Sequence, residues 1–255
     1  MSGLIFTFQE IGQEIDAIGA LAKHYIDKDS ESVLENLRTS LDLIQFKPTD
    51  TVWRWEIPRK TPLTTRPSLG EYEAKQVGSK PHVVAEMTCI WMISPQRTGN
   101  ERKAARFKLG DLASTVVRLF DADIPATDRS KEEGDGGEEP IAEWHMEFGD
   151  AAAPGCYFHV QVPWKQNVPV PRLPTYAVSP LFAFEYVLGE LFQHSWSRDA
   201  VVPSNDMKTW RSIQLRRLKA VLEWQRTVLD RPGQTGSPWI ALKHEKPKPE
   251  LLLSA

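Results

Sequence analysis

The residues best placed to do chemistry are His145, Glu147 and His159. They sit in two runs, IAEWHMEF (141–148) and CYFHVQV (156–162), that flank the turn-rich GDAAAPG. Apolar and polar residues alternate in both runs, which reads as a β-hairpin. Setting Asp150 opposite Cys156 brings Glu147 opposite His159 and His145 opposite Gln161. Trp144, Met146, Phe148, Phe158, Val160 and Val162 then share one face. His145, Glu147, Tyr157, His159 and Gln161 share the other. A slip of one residue would expose half of the apolar set, so the register is specified. Opposed Cβ atoms lie roughly 4.5–5.5 Å apart. Two imidazoles and a carboxylate at that spacing could hold a metal ion for hydrolysis or work as an acid–base pair. The same residue types also suit a polar ligand pocket or the wet face of an antiparallel sheet. No cofactor is specified.

Other chemical signatures are missing. The sequence has no P-loop, G-x-G-x-x-G, G-x-S-x-G or H-E-x-x-H. His145-Met146-Glu147 with Pro154-Gly155-Cys156 does not satisfy the zinc-deaminase pattern, because proline and cysteine are not adjacent and no second cysteine follows. The two cysteines, Cys89 and Cys156, are too few for a disulfide scaffold and match no zinc pair. A reducing cytoplasm is the expected compartment.

Two further sets of residues could bind rather than react. Residues 206–229 read as a helix on which Lys208, Lys219 and Arg226 align, flanked by Arg211 and Arg216. This basic edge could follow a nucleic-acid backbone. Opposite it lie Trp210, Ile213, Val221, Trp224 and Val228, with Leu215, Leu218, Leu222 and Leu229 extending the apolar side. Near the proline-rich 165–178 stretch, Trp164, Arg172, Tyr176 and Trp196 could anchor a protein partner.

These groups need elements to position them. Ile11, Ile15, Ile18, Ala22 and Tyr25 recur at helical spacing, as do Leu34, Leu37, Leu41 and Ile44. Residues 1–47 are therefore expected to form a helical hairpin, with Ser30 capping its second helix. Residues 51–164 read as the sheet region. TVWRWEI (51–57) alternates, and HVVAEMTCIWMI (82–93) suits a central strand. Ala105–Leu109 and Ser114–Phe120 are expected as further strands, with Gly110-Asp111 as a turn, and the second fits a short helix equally well. The polar 126–140 segment is expected as a mobile acidic loop. Residues 179–230 hold two helices, the first capped by Ser179 with Pro180 at its first position. The second is expected to start from Asn205 or Asp206. Residues 243–255 read as a frayed tail.

The expected architecture is a single α+β domain over 1–242. A mostly antiparallel sheet of four to six strands is covered on one face by the N-terminal hairpin and two C-terminal helices. With 31 basic and 34 acidic residues the net charge is −3, which argues against a dedicated nucleic-acid binder. No apolar run approaches the length of a membrane span, so no membrane partner is expected. The functional expectation is a non-catalytic binding or regulatory module of a larger intracellular assembly, with a protein partner or homo-oligomer. A metal-assisted hydrolase using His145, Glu147 and His159 is the alternative. Nucleic-acid binding through the basic edge is the second alternative.

Overall fold

A computed structural model describes residues 3–49, 51–70, 82–97, 101–129, 137–148, 157–162, 173–231, 233 and 236–253. Among them the strands are β1 (Ile5–Thr7), β2 (Trp53–Ile57), β3 (Leu63–Thr64), β4 (Val83–Gln96), β5 (Arg106–Asp121), β6 (Ala142–Phe148), β7 (Phe158–Gln161) and β8 (Leu173–Pro174). The helices are α1 (Phe8–Ala22), α2 (Lys28–Ile44), α3 (Ala126–Arg129), α4 (Pro180–Leu191), α5 (Gln193–Asp199), α6 (Asn205–Leu229) and α7 (Pro238–His244). The fold is α+β with an open antiparallel sheet, as the sequence predicts, but eight strands and seven helices are present among the described residues. The added strands are two or three residues long, too short to leave a periodic signal.

The sheet runs β2-β4-β5-β6-β7-β8, with β3 also on β4 and β1 also on β5. Gly110-Asp111 is not a turn. β5 passes through it as one strand of 16 residues. The ladder pairs Trp91 with Ala113 and then Ile93 with Leu109, so three β5 residues oppose one β4 residue. This bulge absorbs the turn-forming pair without reversing the chain. A Cβ on Gly110 would stand 3.0 Å from the Met92 carbonyl oxygen, so glycine permits the close approach of the two backbones.

One face of the sheet carries the core. Trp55, Trp91, Phe148 and Phe158 lie on it, and the helices pack above them. The Trp55 indole donates to the Leu37 carbonyl of α2 at 3.0 Å. Trp91 meets Phe6 in a tilted contact at 5.1 Å, and Phe158 meets Trp224 of α6 edge-on at 6.0 Å. α1 is the central helix, in contact with α2, α4 and α6.

Several local expectations are corrected. Asp27, not Ser30, caps α2 by accepting from the Ser30 amide at 2.8 Å. The Ser30 hydroxyl instead joins the Thr64 backbone, tying α2 to β3. Ser204 caps α6, one residue earlier than expected, while Ser179 and Pro180 begin α4 as read. The 126–140 segment opens with α3, whose Arg129 is buried; 130–136 lie outside the described residues. The described part of the C-terminal stretch, up to residue 253, is not frayed, because the Pro249 carbonyl accepts from Ile5 at 2.8 Å and Leu252 is buried. Tyr157 precedes β7 and escapes its alternation, packing edge-on against Phe148 and Phe158.

Candidate functional site

The hairpin pairs in the expected register: His145 lies opposite Gln161 and Glu147 opposite His159. Because opposed residues share a face, the polar rows continue across the sheet. Glu86, Arg118 and Glu143 form one row, and Ser114, Glu147 and His159 another. This face is opposite the one that packs on α2 and α6, and Arg129 of α3 reaches Glu86 on it. It is not simply wet, since His159 is only 1% exposed and Glu86 is also buried.

The side chains pair locally. His145 Nε2 lies 2.5 Å from Glu143 Oε1, and Arg118 Nε donates to Glu143 Oε2 at 2.6 Å. Gln161 Nε2 donates to Glu147 Oε2 at 3.0 Å, and His159 Nε2 stands 3.6 Å from the same oxygen. The three sequence-chosen residues thus divide into two groups, with His145 turned to Glu143 rather than to Glu147 and His159. Among the described residues, no three His, Cys, Asp or Glu side chains are grouped to hold a metal ion. Glu86 forms an ion pair with Arg129 at 3.2 Å. Burial pushes its carboxyl up, while Arg129 and Arg118 oppose the rise.

Glu143 is the opposite case. Burial would raise its carboxyl, but the hydrogen bond from His145 and the charge of Arg118 outweigh it and hold it below its ordinary value. A carboxylate held low in the fold contributes stability above its unfolded value, and that contribution is lost as pH falls through the folded value. Glu143→Gln is therefore expected to lower the urea midpoint at neutral pH. The gap to the native chain narrows on acidification through and below the ordinary carboxylate range. A gap that stays constant over that range would contradict the assignment.

The remaining chosen residues are dispersed. On α6, Lys208, Arg211, Lys219 and Arg226 are exposed. Arg226 is engaged by Glu223 at 2.6 Å and Asp230 at 3.5 Å. Arg216 leaves the edge altogether: it bonds Glu10 at 2.5 Å and the Leu252 carbonyl. Tyr176 is exposed, whereas Trp196 is buried edge-on against Tyr25 and offers no surface anchor. Trp164 and Arg172 lie outside the described residues.

Sequence reasoning missed the most buried polar group. Glu14 of α1 is 0% exposed and accepts from Ser179, from Gln214 Nε2 at 2.6 Å and from Arg217 Nη1 at 2.7 Å. Arg217 is also 0% exposed, and its guanidinium stacks over the Phe6 ring at 5.4 Å. The signal was present in the spacing. Glu14 falls between Ile11 and Ile18 on the apolar stripe of α1, and Arg217 falls between Ile213 and Val221 on that of α6. A charge on a buried stripe calls for a buried counter-charge.

Two cavities are of note. One of about 140 Å³ lies on the polar face, lined by Arg59, Arg118, Phe120, Glu138, Glu139 and Glu143 among others. A groove of about 550 Å³ runs between α1 and α2, floored by Ile15, Gly19, Ile26 and Leu34 and rimmed by charges of both signs. No described helix is long and apolar enough to cross a membrane. No protein-family model matches the chain, and no curated protein or solved structure matches it.

Proposed function

We propose that the chain is a non-catalytic binding or regulatory module that acts within a larger intracellular assembly. The observation that supports this most is the mutual pairing on the hairpin face. Both oxygens of Glu143 are engaged, one by His145 and one by Arg118, and Glu147 is engaged by Gln161. A general base must offer a lone pair to a substrate proton. A metal triad must turn three donors toward one point. Here the donors and acceptors turn toward one another instead. Such a face is rigid, and contact with partners falls to surfaces elsewhere on the fold.

Metal-assisted hydrolysis by His145, Glu147 and His159 is the second reading. Its support is the shared face and the 3.6 Å approach of His159 to Glu147. Elemental analysis of untagged, dialysed protein separates the two. The binding module carries well under one equivalent of metal, turns over nothing in a hydrolase panel, and co-elutes with another chain when isolated natively. About one equivalent of zinc or manganese, lost in His145→Ala and His159→Ala and accompanied by turnover, would overturn the module reading. So would elution of the natively isolated chain alone and as a monomer.

A further inference from the structure

α6 leaves an apolar stripe uncovered. Leu215, Leu222 and Leu229 are 40%, 45% and 40% exposed, although each is a large aliphatic side chain. They recur every seven residues, so the stripe runs about 21 Å along the helix. Leu218 and Gln225 fall between them, which completes the alternating three-and-four spacing of a helix-pairing seam. Sequence alone places these leucines on the apolar side of α6. The fold buries Trp210, Ile213, Val221 and Val228 instead and leaves the leucines at the rim.

Beside the stripe run cations, joined toward Leu229 by Glu223 and Asp230, both of which pair with Arg226. At 100° per residue, Lys208 and Lys219 lie about 50° round the helix from the leucines and point most directly to solvent. Arg211 lies one turn before Leu215. These three side chains are exposed and have no ion-pair partner among the described residues. The same helix is rigidly held, because Arg216 and Arg217 on its other sides bond Glu10 and Glu14 of α1.

We infer that α6 docks an acidic amphipathic helix of a partner protein along Leu215, Leu222 and Leu229, with the partner's carboxylates facing Lys208, Arg211 and Lys219. This rests on the binding-module reading and names the partner's chemistry. The charges choose among occupants. A second copy laid parallel would set the Lys208–Lys219 row against itself, where like charges oppose association, and an antiparallel copy would offer that row only Glu223 and Asp230, which Arg226 already engages. A nucleic-acid backbone would meet the cations but leave the leucines against phosphate and sugar. A membrane surface would have to take in the leucines past the cations, which stand further out. Only an acidic helix satisfies the apolar seam and the cations together.

The test is fluorescence anisotropy of a labelled synthetic peptide of about 18 residues, with leucine at seam positions and glutamate beside them. The native chain binds it, and binding weakens as salt rises. Lys219→Glu and Leu222→Gln each weaken it about tenfold or more. A peptide with lysine in place of glutamate does not bind. Lys219 is exposed and has no ion-pair partner among the described residues, so its variant retains the fold and carries the test should Leu222→Gln perturb it. Four results overturn the inference: no binding of the acidic peptide; equal binding by the variants; binding of phosphatidylserine vesicles or duplex DNA, in the peptide's place, through the same residues; or a dimer by light scattering that Leu222→Gln dissociates. If the peptide fails while the natively isolated chain still co-elutes with another chain, the occupant is wrong and the module reading stands. If the chain also elutes alone, both fall.

Discussion

Glu14→Ala is expected to destabilise the chain by about 3–5 kcal/mol, because it strands a buried charge. Glu14 and Arg217 are both fully buried, and Glu14 also accepts from Ser179 and Gln214. Without the carboxylate, Arg217 keeps only a 3.8 Å approach to Glu10 and its stacking on Phe6. A guanidinium cannot neutralise itself by losing a proton, so the fold must admit water or open. The joint α1–α6 lies at the centre of the helical layer, and its loosening reaches the sheet through Phe6. Arg217→Met alone should be nearly as damaging, since it strands Glu14. The double variant Glu14→Leu with Arg217→Met should recover much of the loss, because a buried pair contributes little net stability over apolar packing of the same volume. Chemical denaturation of the native chain, Glu14→Leu, Arg217→Met and the double variant measures this coupling. Additive losses would show that the pair is not a unit.

Trp91→Ala is the second large effect, with an expected loss of about 3–5 kcal/mol. Trp91 is fully buried on the central strand β4 and touches three other rings: Phe6 at 5.1 Å, Trp55 at 5.7 Å and Phe148 at 5.6 Å. These rings come from β1, β2 and β6, so one side chain joins four strands. The cavity left by truncation cannot collapse easily, since each neighbour is held in its own ladder. Trp91→Phe should cost far less. The indole N–H of Trp91 has no hydrogen-bond partner among the described residues, so phenylalanine gives up area but no polar contact there. Thermal unfolding compares the two, and similar melting points would refute the role assigned to Trp91.

The hairpin register was legible because Trp144, Met146, Phe148, Phe158 and Val160 could face the core in only one pairing. Where each polar side chain turned was not legible. His145 lies within reach of both Glu143 and Glu147 in sequence terms. It engages Glu143, which also receives Arg118 from the neighbouring strand. That choice depends on β5, a long-range pairing that no local pattern encodes. Gly110-Asp111 misled for a related reason. Turn propensity is local, whereas the continuous β4–β5 ladder on either side of the pair absorbs it as a bulge.

The sequence by itself determined the helical N-terminal hairpin, the Ser179–Pro180 helix start, the antiparallel α+β class and the two faces of the β6–β7 hairpin. Each follows from periodicity or capping, which act over a few residues and need no distant partner. Tertiary structure alone decided that Arg216 and Arg217 turn to α1, and that Trp196 is core rather than surface. It also decided that the Leu215–Leu229 stripe stays uncovered while its neighbours on α6 are buried. Those outcomes depend on which face of a helix meets which neighbour. A helix with apolar residues over most of its circumference offers several nearly equivalent faces. The buried Glu14–Arg217 pair selects one of them, because turning α6 away would leave Glu14 buried without its counter-charge.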